Sequence, residues 1–344
     1  MLKAFVIDKI LDSTELNDLI DEDFCPVLLG QGMFGSVFKN GMPASIQIEG
    51  LGIYDVAYKI VSAEGQRVMS VEKSLVFVND PRGEFICGAL ATKAFIDGVT
   101  PHVCMLLTMN SCDPDQVTIL MEYVGNTATW IRTVFDSNAM QMIEEVVPVR
   151  DAGDFLMHTL QKAPDTLESV INTLMLQVYH TCLILFDMGV YIADLHLGNV
   201  LVKSLDEGVP YWRGEAINHD YFAYGYGGKK YYVENKGWIA KIADYGMFSA
   251  THGSKTYYAH PAAYRAEIEL KRGFALYSFA SMLGNDFMRT ELVRNIEGLT
   301  EGAGFSLYSA PFTRKDIKAV LDLVVKRFPN KIPRSGASVL EINV

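Results

Sequence analysis

The sequence predicts an α+β fold in two parts, a small β-rich part with one main helix and then a larger, mainly helical part. Residues 24–61 divide into short β-rich pieces separated by Gly, Asn and Pro. Residues 84–97 have the apolar spacing of a helix, and residues 166–188 form the longest helical pattern in the chain. The 344 residues suffice for two full cores. The boundary is expected near Gly125, which divides the chain into parts 1–124 and 125–344.

The first part begins with an acidic stretch, residues 1–22, that predicts a short helical lead-in. The β-rich pieces VLLG, SVFK, ASIQIEG and YDVAYKIV come next, followed by the helix over 84–97. Residues 103–109 and 117–124 are short apolar runs that predict two buried strands. A five-stranded sheet with one main helix is therefore expected here.

The second part is organised around the helix predicted over 166–188. Thr166 offers a cap-type residue at its start, and Gly189 lies where the glycine after a helix C-terminus is expected. A late amphipathic helix is predicted over 311–328. Residues 205–238 are rich in Tyr and Gly, which indicates a long hairpin or an ordered loop.

Composition limits the possible partners and compartments. The formal net charge of −11 argues against general affinity for nucleic acids or anionic membranes. The apolar region 174–202 is interrupted by polar side chains, so a buried helix and strand are expected rather than a membrane span. The five cysteines are dispersed and the N-terminal residues do not resemble a signal peptide. These features predict an intracellular, cytoplasmic or nuclear protein.

A glycine-rich stretch, LLGQGMFGSVFKNG at 28–41, contains Gly30, Gly32 and Gly35 followed by Val37. Dinucleotide-binding folds and P-loops need a helix after the glycines, and a P-loop also needs Lys where this chain has Ser. The residues after the last glycine instead predict a strand and a turn. A strand–turn–strand flap over phosphates and an ordinary hairpin turn both remain open.

A lysine within an otherwise apolar strand is the next candidate. VAYKI at 56–60 places Lys59 there, where it either faces solvent at an edge or contacts phosphates and pairs with a glutamate. Glu84, at the start of the first helix, is the preferred partner over Glu72.

Two polar loops carry the remaining chemistry. YIADLHLGNVLV at 191–202 contains Asp194 and Asn199 at the D-x-x-x-x-N spacing, between the long helix and a strand. An Asp there can orient a hydroxyl and take its proton, and an Asn oxygen can bind a metal. His196 lies between them, either as an ordinary loop histidine or in contact with a phosphate. KIADYGMF at 241–248 places Asp244, a candidate Mg²⁺ ligand, two residues before Gly246.

These residues together resemble the eukaryotic protein kinase superfamily over residues 24 to about 290, and D-L-H-x-G-N-V-L is similar to haspin-type kinases and to kinases of large DNA viruses. The resemblance implies a bilobal fold with the N-lobe at 1–124 and the C-lobe at 125–344. It implies ATP and Mg²⁺ as cofactors, a protein substrate phosphorylated on Ser or Thr, and, for a viral protein, a location in the host cell or virion. The implied roles are catalysis by Asp194 with Lys59 and Glu84, metal binding by Asn199 and Asp244, and nucleotide binding by Gly30, Gly32, Gly35, Val37, Lys59, Met121 as gatekeeper, Glu122 and Val124.

Departures from the family pattern keep two alternatives open. Ile192-Ala193 replaces the usual His-Arg, so no switch by a phosphorylated activation loop is expected, and Ala275 stands where an Asp that braces the His-Arg backbone is usual. A non-catalytic pseudokinase scaffold would explain these losses. Small-molecule phosphotransferases of the aminoglycoside- and choline-kinase type share the D-L-H-x-G-N loop and are the other alternative.

Overall fold

A computed structural model describes the chain in fourteen stretches and shows a mixed α+β fold with several small sheets. The described residues are 26–32, 35–40, 45–48, 52–62, 68–69, 76–77, 81–113, 116–136, 141–205, 211–259, 278–287, 290–302, 313–331 and 334–343. The lead-in predicted over 1–22 therefore lies outside the described residues.

The N-terminal strands form one antiparallel sheet in the order β1-β2-β4-β8-β7, with β3 paired to β4. The bounds are β1 Pro26–Gly32, β2 Gly35–Asn40, β3 Ser45–Ile48, β4 Gly52–Ser62, β7 Leu106–Asp113 and β8 Gln116–Glu122, and a separate short pair joins β5 Val68–Met69 to β6 Val76–Phe77. The strands predicted between 24 and 124 are thus confirmed where the structure describes them, but the sheet has six strands instead of the expected five because β3 also pairs with β4. The central strand of the sheet, β4, carries Lys59.

Helix α1 spans Pro81–Ile96 and begins three residues before the sequence-based prediction. Proline suits a first helical turn because its missing N–H has no helical partner there. Glu84 lies in the first turn, where a carboxylate is favoured by the helix dipole. Past the helix end, Gly98 has a φ of +67°.

The other helices are α2 Ala152–Lys162, α3 Leu167–Asp187, α4 Glu291–Gly302 and α5 Arg314–Val324, and residues 278–286 are also helical. Helix α3 confirms the long helix, but Thr166 does not cap it: a 3-10 turn precedes the helix, and the Thr166 hydroxyl donates to Ala163 O. Gly189 follows with a φ of +79°, as expected after a helix end. In helix α5, the Asp316 carboxylate accepts hydrogen bonds from the Thr313 N–H and hydroxyl.

One helix in the described residues, Pro164–Asp187, is long and apolar enough to cross a membrane. Its most apolar window is 83% buried within the protein, as in the core helix of a globular domain. The described residues therefore contain no clear membrane span.

The described residues of the second part contain twelve strands in addition to the helices. They are β9 Thr129–Asp136, β10 Gln141–Pro148, β11 Val190–Ile192, β12 Val200–Ser204, β13 Tyr211–Trp212, β14 Glu215–Ala216, β15 Tyr221–Tyr226, β16 Lys229–Glu234, β17 Trp238–Ile242, β18 Phe248–His252, β19 Lys255–Tyr258 and β20 Val339–Asn343. They pair as small sheets, β9-β10, β11-β18-β19, β12-β17, β13-β14 and β16-β15-β20. Helices and many short strands thus occur together in the described part of residues 125–344, and the strands pair across long sequence distances that no local pattern reveals.

Within the stretch predicted as a hairpin or ordered loop, 205–238, the structure describes residue 205 and residues 211–238. Strands β15 and β16 form a hairpin whose turn residues, Gly227 and Gly228, both have positive φ, as a tight hairpin turn requires. Strand β20, near the C-terminus, pairs in parallel with β15. The β15–β16 hairpin and β20 therefore form one three-stranded sheet.

Candidate functional site

The glycine-rich stretch is an antiparallel hairpin. Gly30 pairs with Val37 and Gly32 pairs with Gly35, and Val37 in turn is paired with Lys59 on β4. A strand therefore follows the glycines, where a dinucleotide fold or a P-loop would need a helix. Strand β2 of this hairpin therefore pairs directly with the segment of β4 that carries Lys59. Contact of the three glycines with phosphates stays a prediction.

Lys59 joins three separate elements. Its Nζ donates to Glu84 Oε1 at 2.5 Å and to Asp244 Oδ1 at 3.0 Å, and the residue is buried. Burial alone would lower the pKa of Lys59, but the two carboxylates outweigh it and hold the pKa above its usual value. Lys59 is thus a permanent cation between α1 and the loop after β17. The other glutamate considered as a partner, Glu72, lies outside the described residues.

Asp244 follows β17 in a left-handed backbone conformation with a φ of +55°. Its Oδ1 also accepts a hydrogen bond from Gly246 N–H at 3.3 Å, whereas its Oδ2 has no hydrogen-bond partner among the described residues. The side chain is 47% exposed. Partial loss of hydration acts to raise its pKa, but Lys59 and the Gly246 N–H outweigh that effect and lower it. Asp244 therefore presents a charged oxygen to solvent.

The loop of Asp194 and Asn199 lies beside Asp244. It connects β11 to β12, and β12 pairs with β17. Asn199 Nδ2 donates to Asp194 O at 2.9 Å, and the Ala243 N–H donates to Asn199 O at 2.9 Å. The Asp194 side chain is 47% exposed. These backbone contacts hold the loop of Asp194 and Asn199 next to the loop of Asp244, whose carboxylate binds the Lys59 ammonium.

His196 faces the Asp194 carboxylate, with Nε2 3.7 Å from Oδ2. Its Nδ1 accepts a hydrogen bond from the Gly198 N–H at 3.1 Å. A neutral His196 ring therefore carries its hydrogen on Nε2, on the side of Asp194. Nδ1 is thus satisfied within its own loop, whereas Nε2 lies near the Asp194 carboxylate but beyond hydrogen-bond distance of it.

The predicted nucleotide-binding segment Met121–Val124 is largely committed to internal contacts. Met121 lies within β8, opposite Ala57. The Glu122 N–H donates to Met105 O at 2.8 Å, and Glu122 O accepts from Cys104 Sγ at 3.5 Å. In contrast, the backbone of Val124 makes no hydrogen bond with the described residues. Val124 is accordingly the member of this segment with free backbone groups.

Sequence reasoning missed a buried charge cluster behind this segment. Lys241 Nζ lies 2.7 Å from Glu122 Oε2, and neither side chain has exposed surface. Lys203 Nζ lies 3.9 Å from the other Glu122 oxygen and donates to Tyr123 O at 3.3 Å. The signal was available: Lys241 is the one charged residue in the apolar strand WIAKI, as Lys59 is in VAYKI. Nothing in the sequence connected it to Glu122.

Two departures from the kinase pattern occupy apolar positions. Ile192 and Ala193 are buried; Ile192 pairs with Phe248 across β11 and β18, and Ala193 packs with Met247. Ala275 lies outside the described residues. Ala193, the residue before Asp194, therefore makes apolar packing contacts at the position where the kinase pattern has a charged arginine.

The oxygen atoms that could bind a metal at this site fit Mg²⁺ bound together with a phosphate ligand. Asp244 Oδ2 and Asn199 Oδ1 are a carboxylate and an amide oxygen without hydrogen-bond partners among the described residues. No cluster of three or more His, Cys, Asp or Glu side chains able to hold a metal occurs in the described part of the chain. Mg²⁺ in phosphate sites commonly takes only one or two protein carboxylates, so this absence is compatible with such a site.

Comparison with known proteins adds no assignment to this geometry. No family model matches the chain, and no curated protein matches it.

Proposed function

We propose that this chain transfers a phosphoryl group from ATP, with Mg²⁺, to Ser or Thr hydroxyls of a protein substrate. The observation that carries the proposal is the position of Lys59, bonded to both Glu84 and Asp244. Phosphoryl transfer by a kinase requires a lysine paired with a helix glutamate and an aspartate in place to bind Mg²⁺, and Lys59 contacts the candidate for each role. The proximity of Asp194 and Asn199 adds support.

Each polar residue then has one role. Glu84 keeps Lys59 oriented, and Lys59 neutralises the α- and β-phosphates. Asp244 and Asn199 supply oxygens for Mg²⁺, which when bound shields the phosphate charges. Asp194 orients the acceptor hydroxyl and takes its proton.

The fold supports the same proposal at the level of architecture. We assign 1–124 as a small lobe, with its sheet and α1, and 125–344 as a large lobe. The glycine hairpin β1–β2 is proposed to cover the phosphates, and Gly30, Gly32 and Gly35 would let its backbone approach them without Cβ contacts. Adenine is proposed to bind at Val124, next to Met121.

The acceptor is the less constrained part of the proposal. The complete G-x-G-x-x-G-x-V pattern and Gly246 after Asp244 favour a protein acceptor over a small molecule. Incubation with radiolabelled Mg·ATP and a mixture of proteins and small solutes separates the two. Label on protein hydroxyls supports the proposal, and label on small solutes alone assigns the small-molecule alternative.

The catalytic assignment is tested with Asp194→Asn and Lys59→Met, using Lys229→Met as a matched control. Lys229 is an exposed lysine at the β15–β16 turn, away from the site. We expect Asp194→Asn to retain the thermal stabilisation by Mg·ATP, about 2.7 kcal/mol at a hundred times the dissociation constant. Transfer should fall by about 10²- to 10⁴-fold, the usual contribution of a general base. Undiminished transfer by Asp194→Asn refutes the role of Asp194. If neither the wild type nor any variant transfers phosphate, the result assigns the scaffold alternative.

A further inference from the structure

The C-terminal end of helix α1 is held by residues from the 211–216 hairpin, far along the chain. Trp212 has no exposed surface, and its Nε1 donates to Phe95 O at 3.1 Å. Phe95 lies in the last turn of α1, and its carbonyl also accepts a hydrogen bond from the Gly98 N–H at 3.0 Å. The Trp212 hydrogen bond is therefore a second contact to this carbonyl, and it comes from a segment 117 residues away.

Arg213 continues the same attachment. Its Nε donates to Gly98 O at 2.6 Å, a second guanidinium nitrogen also donates to Gly98 O, and its Nη1 donates to Glu341 O at 3.1 Å. One side chain thus ties the end of α1 to strand β20. Arg213 has a φ of +57°, a conformation that is unfavourable for residues with a long side chain. Gly214 also has a positive φ, as the two-residue turn between β13 and β14 requires, and the three hydrogen bonds fix the Arg213 side chain that projects from this turn.

The N-terminal half of α1 is held by a different element, the β18–β19 hairpin. Cys87 Sγ lies 3.9 Å from Tyr257 O, and a Cβ on Gly83 would lie 2.0 Å from Tyr258 O. The helix therefore rests against backbone at this end and is hydrogen-bonded at the other. Glu84, which accepts the hydrogen bond from Lys59, belongs to this same helix of 16 residues.

Directional contacts matter for this helix because buried side chains do not form one narrow stripe. Buried residues include Glu84, Phe85, Cys87, Thr92 and Phe95, which spread over one broad face of about 160° at 3.6 residues per turn. Apolar packing alone would allow the helix to rotate or slide. Hydrogen bonds to Phe95 O and Gly98 O fix both movements, since each weakens steeply with distance and angle.

We propose that Trp212 and Arg213 are positioning residues that hold the C-terminal end of α1 so that Glu84 stays bonded to Lys59. The catalytic part of this inference rests on the proposed phosphotransferase function, whereas the mechanical part does not. A shift of α1 by about 1 Å would disturb a 2.5 Å hydrogen bond, and misplacements of that size cost enzymes up to about 10²-fold in rate.

Three variants test the attachment. Trp212→Phe keeps an aromatic ring but removes the donor to Phe95 O. Arg213→Asn removes the guanidinium and keeps a residue type that tolerates positive φ. Arg213→Lys restores a cation that can reach one carbonyl. Lys230→Ala is the matched control, because Lys230 pairs with the Glu341 side chain on the same strand β20 and does not contact α1.

The first measurement is hydrogen exchange of the α1 amides in the full chain without nucleotide. We expect Trp212→Phe and Arg213→Asn to speed exchange over 89–96 by about tenfold, the effect of about 1.4 kcal/mol on local opening. The second measurement is steady-state phosphoryl transfer at a temperature well below unfolding. We expect kcat to fall about tenfold with the KM for the acceptor unchanged, Arg213→Lys to recover part of it, and the control to match wild type.

The outcomes separate the two proposals. If α1 exchange in both variants equals that of the control, the attachment is overturned whether or not the protein is active. If exchange rises but an active wild type and its variants share the same kcat, the positioning role is overturned. If the wild type transfers no phosphate, the proposed function fails, and faster exchange still supports the attachment of α1.

Discussion

The buried pair of Lys241 and Glu122 gives the sharpest test of how the second part is held against β8. Neither side chain reaches solvent, and the ammonium also donates to Val103 O at 3.3 Å and lies 4.7 Å from the Phe95 ring centroid. Lys241→Met replaces the ammonium by a side chain of similar length. The Glu122 carboxylate is then left in the core, and breaking a buried ion pair in this way typically costs about 3–5 kcal/mol.

The magnitude should fall near the lower limit of that range. Lys203 Nζ remains 3.9 Å from Glu122 Oε1, and the Met105 N–H still donates to Oε2 at 3.4 Å. We therefore expect Lys241→Met to lower the free energy of unfolding by about 3 kcal/mol. Adding Glu122→Gln removes the stranded charge and keeps an acceptor for Met105, so the double variant should recover about 1–2 kcal/mol of that loss.

Urea unfolding followed by tryptophan fluorescence at pH 7.5 measures all four members of this cycle. Additive effects, with a double variant less stable than Lys241→Met, would refute the reasoning. A pH series adds an independent check. Burial lowers the pKa of Lys241, and the Glu122 carboxylate partly offsets that effect. In Glu122→Gln the folded state should hold this proton less tightly than the unfolded state, so stability should rise as the pH increases toward the ordinary lysine pKa of about 10.4, by up to about 1.4 kcal/mol per unit.

Three further predictions follow from close contacts and buried titratable groups. Gly83→Ala should destabilise the fold by about 1–3 kcal/mol in urea unfolding, because its Cβ would meet Tyr258 O at 2.0 Å; an unchanged midpoint would contradict this packing. Gly246→Ala should reduce phosphoryl transfer more than stability, since its Cβ would lie 3.2 Å from Asp244 Oδ1; equal transfer would contradict that. Burial lowers the pKa of His102 to about 3 and of His180 to about 4, so stability should fall as the pH drops below about 6.5, by about 1.4 kcal/mol per unit for each. A flat stability profile from pH 7 to 5 would show that they are not buried and neutral.

Local pattern was sufficient for the long elements. Period and length predicted α1 and α3, and the glycine at 189 marked the end of α3 because its positive φ is a local requirement. The same local chemistry distinguished a hairpin after Gly35 from a helix. Thr166 shows the limit: a suitable cap residue was present, but Pro164 preceded it and a 3-10 turn formed instead.

Contacts between distant segments could not be predicted from one sequence. The preference for Glu84 as the partner of Lys59 came from chain order, yet the 25-residue separation holds no geometric information. Lys241 and Glu122 are 119 residues apart, and each alone resembles an ordinary charged residue. The pairing of β20 with β15 likewise depends on the return of the C-terminus, which no periodicity encodes.

The apolar residues before Asp194 and the attachment of α1 have a common physical consequence. Ile192 pairs with Phe248, so β11 is a strand of the same sheet as the β18–β19 hairpin. That hairpin contacts α1 through Tyr257 and Tyr258. An arginine in place of Ala193 would be buried against Met247 and would need a charged partner, at a cost of several kcal/mol without one. Under the proposed function, the segment after Asp244 is therefore held by backbone pairing and apolar contact, and α1 stays in position without an added phosphate.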